Sequence, residues 1–184
     1  MSKNLKKSIV VNLFGGPGTC KSIFCALIFA KLKLNGVNCE MAREVAKDMI
    51  MEGSEHLLEN QQMVYSEQQR ILYNLNKRVD VVVTDAPILN SLIYDKIAGG
   101  TDIDFHRTII NEFDRYENRN YILNRVYTYE QAGRYQDEAG AKEVDKVVLA
   151  TVKANGNHDY KSMDAWPENA DVIVRDIIKE LKLC

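Results

Sequence analysis

Short apolar runs alternate with longer amphipathic stretches along this chain. "SIVVNLF" (8–14) is a β-branched run cut off by glycines, the pattern of a buried strand. Residues 21–35 have helix-forming composition, with Ile23, Leu27, Ala30 and Leu34 at helical spacing and Gly36 as the stop. "VNCEM" (37–41) predicts a second strand, and residues 42–52 and 55–77 predict helices broken at Gly53. "VDVVVTD" (79–85) is the clearest strand signal. Residues 89–97 predict a helix, "AGGTDID" a loop, and residues 104–117 another helix. "NYILN" (120–124) predicts a fourth strand, followed by a polar loop or lid over about 126–139 and a helix over 139–154. "DYKSM" (159–163) is a weak fifth strand, and Trp166-Pro167 leads into a closing amphipathic helix over 168–182.

Strands that alternate with helices imply a parallel sheet covered on both faces. Five strands fit a single three-layer α/β domain spanning residues 1–184. In such sheets ligands bind beyond the carboxyl ends of the strands. The residues that follow each strand are therefore the candidates for chemistry: Gly15 to Ser22, Arg43 and Glu44, Asp85, Arg125 and Asp164.

Composition narrows this little. The 184 residues are enough for a real core without staples, and a net charge of −2 gives no global basic field for nucleic acid. The four cysteines form no CxxC pair and the three histidines are scattered, which favours reduced thiols and no metal cluster. The basic start "MSKNLKKSIVVNLF" lacks the apolar core of a signal peptide, and no segment has a membrane span's length of apolar residues. The expectation is a cytoplasmic protein with no membrane partner, a monomer or homodimer.

The strongest chemical signal is "FGGPGTCKS" between the first strand and the first helix. Gly15, four residues, a second small residue, Lys21 and Ser22 follow the phosphate-binding spacing, with Cys20 where glycine is usual. In that arrangement loop N–H groups of Gly15, Gly16, Pro17's neighbours, Gly18, Thr19 and Cys20 face anionic oxygens, helped by the helix N-terminus. Lys21 would reach the terminal phosphates of ATP, and the Ser22 hydroxyl would ligate Mg²⁺. If residue 20 needs a positive φ, a Cβ there costs roughly 1–2 kcal/mol, which would weaken nucleotide affinity about tenfold. A thiol at a helix N-terminus beside a lysine is also a candidate reactive group.

Other residues fit around this loop. Asp85 ends the clearest strand, the position of a second metal-binding group, against the plainer role of a helix cap. Arg43 and Glu44 follow the second strand. A carboxylate there suits a hydroxyl acceptor and a cation suits a phosphate acceptor, so the pair leaves both open. The amide-rich "NQQMVYSEQQR" places Gln61, Tyr65 and Gln68, with Gln62, Gln69 and Arg70, on one predicted helix, suited to a nucleobase edge or simply a solvated face. Arg125 and Arg134 sit in or beside the lid, where they could neutralise a transferring phosphoryl group; Tyr127, Tyr129 and Tyr135 could stack on a base or pack the lid.

"GGPGTCKS", "REVAKD", "QQMVYSEQQR", "VDVVVTDAPILNSLIYD" and "GRYQDEAGAKEVD" occur in an order that resembles small P-loop proteins common in phages. Such proteins are often labelled AAA-type ATPases but look like nucleoside or nucleotide kinases. The likeness covers residues 8 to 150, and its most distinctive part is Gly133, Arg134 and Gln136 followed by a helix carrying Asp145. It implies a P-loop NTPase fold with a kinase-like lid, catalysis by Lys21, Glu44, Asp85, Arg125 and Arg134, and metal at Ser22 and Asp85. It also implies an acceptor at Arg43 and Glu44, and Asp85 with Pro87 near Mg²⁺. The implied activity is transfer of phosphate from ATP to a nucleoside or nucleoside monophosphate. Two alternatives remain: a kinase acting on a hydroxymethylated base in DNA, with "NLNKR" (74–78, including Lys77 and Arg78) as its basic surface, and a non-transferring ATP-binding switch.

Overall fold

The computed structural model describes residues 7–128, 137–155 and 159–183. Five strands form one all-parallel sheet: β1 (Ile9–Phe14), β2 (Cys39–Ala42), β3 (Val81–Thr84), β4 (Glu117–Asn124) and β5 (Tyr160–Asp164), in the order β2-β3-β1-β4-β5. Among the described residues seven α-helices connect and cover them: α1 (Lys21–Leu34), α2 (Val45–Met51), α3 (Gln61–Leu75), α4 (Leu89–Ile97), α5 (Ile103–Phe113), α6 (Glu138–Ala154) and α7 (Ala170–Leu183).

Side-chain alternation along β1 divides the core. Ile9, Val11 and Leu13 pack against α1 and α7, while Val10 and Phe14 pack against α3, α4, α5 and α6. The sheet is therefore the middle of three layers, with apolar residues on both faces as buried parallel strands require. A smaller cluster of Val45, Met49 and Val64, with Leu57 and Leu58 against it, ties α2 and α3 into a unit beyond the β2 edge.

Several boundaries differ from the sequence reading. α1 buries Phe24, Cys25, Ile28 and Leu32, not the stripe begun by Ile23 and ended by Leu34, both of which are exposed. This helix is apolar nearly all round, so spacing alone could not choose its face. The segment expected as helix from 42 ends its strand at Ala42, and Glu44 holds extended backbone before α2. The long helix expected over 55–77 splits into a 3₁₀ turn at Glu55–Glu59 and α3, with Asn60 capping α3 by accepting from the Met63 N–H at 3.1 Å. The predicted helix to 117 stops at Phe113, and β4 starts three residues before the predicted 120. Polar side chains make that early start tolerable: the Asn12 amide donates to Asn118 at 2.8 Å and Asn120 at 3.0 Å, and the Arg119 guanidinium grips Glu180 of α7 with two nitrogens.

Candidate functional site

The connection from β1 to α1 is a tight loop over the sheet's carboxyl edge. Gly15 has φ 150°, and a Cβ there would meet the Thr19 hydroxyl at 2.5 Å, so only glycine fits. Gly16 lets another chain segment approach: a Cβ would lie 2.5 Å from Asp145 Oδ1 and 2.9 Å from the Ala141 carbonyl oxygen. Thr19 is buried and donates to the Gly16 carbonyl at 2.9 Å, which braces the loop from inside. Cys20 caps α1 in left-handed backbone, φ 59° and ψ 22°, with its side chain partly packed on the α1–α7 core.

Lys21 is the centre of the arrangement. Its ammonium donates to the carbonyls of Gly15 at 2.8 Å and Gly16 at 2.9 Å. Removal from water pulls its pKa below the ordinary lysine value. The charges of Glu44, Asp85 and Asp145 oppose that pull, and Arg125 adds to it. These partners come from the ends of β2, β3 and β4 and from α6, so distant stretches of sequence converge on one loop.

Each partner is held from behind. Gln68 of α3 accepts from the Val45 N–H and donates to the Arg43 carbonyl, both at 3.1 Å, which clamps the backbone around Glu44. Burial raises the Glu44 carboxyl above the usual carboxylate value, Asp85 raises it further, and Lys21 and Lys47 pull it back. Asp85 is buried at the end of β3, beside Cys25 of α1. Burial and then the Asp85 charge push the Cys25 thiol up to about 12, so it stays neutral, and the Asp85 N–H bonds to it. Arg125 donates to the Pro17 carbonyl and, at 2.9 Å, to Asp145 Oδ2, while Asp145 Oδ1 accepts from the Gly16 N–H at 2.7 Å. Asp145 thus joins α6 to both the loop and the end of β4.

The two arginines expected beside the loop behave differently. The Arg125 side chain is 11 % exposed and points into the site, whereas that of Arg43 is 72 % exposed and lies 3.8 Å from Asp48. Gln68 spends its amide on the backbone and does not face a ligand. Tyr65 stacks edge-on to Phe105 at 5.8 Å and faces α5. The Gln61 amide donates to the Leu58 carbonyl at 2.7 Å, at the rim of a surface cleft lined by the Glu55–Glu59 turn, the start of α3 and Asp95. Ser22 is exposed in the first turn of α1. Asp164 accepts from Asn124 at 3.1 Å and closes the end of the β4–β5 pair. "NLNKR" lies at the sheet's opposite edge: Lys77 donates its N–H to Ser8 at 2.9 Å, just before β1. Arg134, Gly133, Gln136, Tyr129 and Tyr135 lie outside the described residues, as does the centre of the expected lid.

Three further features stand out, of which only Tyr127 was given a ligand-facing role from sequence. Tyr94 of α4 has its hydroxyl pushed up to about 12 by burial and by the charges of Glu44 and Asp145, so it is a fixed donor. Trp166, after β5, meets Tyr127, after β4, edge-on at 5.4 Å, and both are partly exposed. Asp95 of α4 and His106 of α5 contact at 2.7 Å. Tyr94 and Asp95 fall in the "SLIYD" stretch, where charge and aromatic residues on a mainly apolar helix were the available sign.

Among the described residues no three His, Cys, Asp or Glu side chains are arranged to cage a metal, and no helix is long and apolar enough to cross a membrane. The charge balance nevertheless suits a cation. Three acidic side chains, Glu44, Asp85 and Asp145, and one arginine, Arg125, act on Lys21. Mg²⁺ commonly takes only one or two protein carboxylates and completes its shell with water and phosphate oxygens. Neither a protein-family model nor a curated protein sequence matches this chain.

Proposed function

We propose that this protein is an ATP- and Mg²⁺-dependent phosphotransferase of the small P-loop kinase type, acting on a nucleoside or nucleoside monophosphate. The observation that carries this reading is Lys21: an ammonium folded into a strained glycine loop, faced by Glu44, Asp85, Asp145 and Arg125 from four other elements. A surface lysine on an ordinary turn would gather no such company.

In this reading the loop amides and the α1 N-terminus hold the phosphates, and Lys21 swings from the loop carbonyls onto the terminal ones. Ser22 and Asp85 would hold Mg²⁺, which supplies charge neutralisation on the phosphates. Glu44 accepts the proton of the acceptor hydroxyl as its oxygen attacks the γ-phosphorus. The new P–O bond forms while the bond to the bridging oxygen breaks, and ADP leaves with that electron pair. Arg125 balances negative charge on the transferring group. Tyr127 and Trp166 offer an aromatic platform for the donor base between β4 and β5. "NLNKR" lies at the sheet's far edge, away from the loop, which supports the small-molecule reading over the DNA-base one.

Transfer of labelled phosphate from Mg-ATP to nucleosides and monophosphates tests the proposal. Lys21→Ala should lower kcat by about 10²–10³-fold, the loss typical of one preorganised electrostatic group. Equal ADP release with and without every acceptor would refute transfer and favour a nucleotide switch.

A further inference from the structure

Helix α6 meets the glycine loop more closely than covering a sheet requires. Its buried face carries Ala141, Val144, Val148 and Val152, and the three valines pack into the apolar layer on one side of the sheet. Asp145 stands at the edge of that face, four residues after Ala141 and three before Val148. The backbone is shaped to admit the helix. A Cβ on Gly16 would lie 2.9 Å from the Ala141 carbonyl oxygen and 2.5 Å from Asp145 Oδ1, and Ala141 is itself small and fully buried.

The Asp145 carboxylate divides its oxygens between two parts of the site. Oδ1 accepts from the Gly16 N–H at 2.7 Å, and Oδ2 accepts from Arg125 Nη2 at 2.9 Å. Arg125 Nη1 donates to the Pro17 carbonyl, which joins the guanidinium to the loop a second time. From the other side, Lys21 and Thr19 both donate to the Gly16 carbonyl at 2.9 Å. The Gly16–Pro17 segment is thus gripped at its N–H and at its carbonyls. Fixing a long arginine costs rotamer entropy, and burying its charge costs solvation. A carboxylate bonded to the guanidinium offsets both.

We propose, on the phosphotransferase reading of the Lys21 centre, that Asp145 is a positioning residue for phosphoryl transfer. It holds Arg125 and the Gly16–Pro17 turn in one fixed relation, so the guanidinium meets the transferring group without rearrangement. A preorganised donor stabilises charge on that group more than a mobile one, because no reorganisation accompanies the reaction. Asp145 acts through Arg125 and not on the reacting atoms.

Calorimetry of the full chain tests this with Mg-ADP alone and with Mg-ADP plus aluminium fluoride, a mimic of the phosphoryl group in transfer. Asp145→Asn is nearly isosteric and keeps an oxygen for the Gly16 N–H, but it takes the negative charge away from Arg125. Wild type should bind the fluoride complex at least about tenfold more tightly than Mg-ADP. Asp145→Asn should bind Mg-ADP as wild type does, which shows an intact loop. It should lose about tenfold of the fluoride preference, the scale of one hydrogen bond to a charged group. Arg125→Ala should lose at least as much, and the double variant should lose less than about twofold more than Arg125→Ala alone. An unchanged or increased fluoride preference in Asp145→Asn overturns the proposal. So does an equal loss of Mg-ADP affinity, additive losses in the double variant, or a wild type with no fluoride preference. Label transfer from ATP to an acceptor, measured on the same wild-type protein, separates this from the parent reading. Transfer alongside any of those results keeps the kinase and defeats the positioning role. Fluoride preference that depends on Asp145 and Arg125, with ATP hydrolysed and no acceptor labelled, keeps the positioning role and defeats the kinase.

Discussion

Cys20 carries the sharpest residue-level consequence. Its left-handed backbone is strained for a residue with a Cβ, and that strain enters the folding free energy. A ligand shifts an equilibrium only through differential affinity, so strain that the loop carries with and without nucleotide does not tax binding. The prediction is therefore an effect on stability in place of a tenfold weakening of nucleotide affinity. Relief of roughly 1–2 kcal/mol, less roughly 0.5–1 kcal/mol for glycine's unfolded-state entropy, leaves Cys20→Gly modestly stabilised. Thermal unfolding should show Tm higher by about 1–4 °C, with Kd for Mg-ATP changed less than threefold. Lys21 and Glu44 supply a second test. Glu44 must be ionised to take a proton, and burial raises its pKa, so activity falls as pH drops through a value above the usual carboxylate one. Lys21 must be charged, and burial lowers its pKa, so activity falls as pH rises through a value below the usual lysine one. The kcat/KM profile should be a bell narrowed from both sides, and Glu44→Gln should remove the acid limb while greatly lowering the rate.

At the scale of elements, α3 acts as a brace. The sequence "NQQMVYSEQQR" reads as either a ligand-facing amide array or a solvated face, yet Gln68 is spent on the Arg43 carbonyl and the Val45 N–H. Sequence spacing places side chains on a helix face but cannot say whether that face meets a ligand or another backbone. Gln68→Ala leaves the buried Val45 N–H and the part-buried Arg43 carbonyl unpaired, which should cost about 1–2 kcal/mol in denaturant unfolding. It should also lower kcat more than it raises KM, because Glu44 loses its support. The early start of β4 was hidden for a related reason. "ENRN" has no strand pattern of its own; partners far away in sequence, Asn12 and Glu180, make it strand. In contrast α4, whose apolar pattern is bounded by Pro87 and Gly99, was legible at both ends, Leu89 and Ile97.

For the whole molecule, alternation of short β-branched runs with helical periods was enough to give five parallel strands and helices on both faces. Strand order was not legible, and it decides which loops meet. With β1 between β3 and β4, the loop after β1 lies between Asp85 and Arg125, and with β4 beside β5, Tyr127 meets Trp166. Glycine spacing located the loop and its lysine. Asp145 entered only through resemblance, because its partners, Gly16 and Arg125, are set by how α6 lies over the edge. The central claim is that this edge moves a phosphoryl group. Incubation of the full chain with γ-labelled Mg-ATP and a panel of nucleosides and monophosphates, with Lys21→Ala alongside, measures it most directly. The account expects label on one acceptor class and loss of at least about 10²-fold with the variant. Label that appears only as free phosphate, at a rate no acceptor changes, would contradict it.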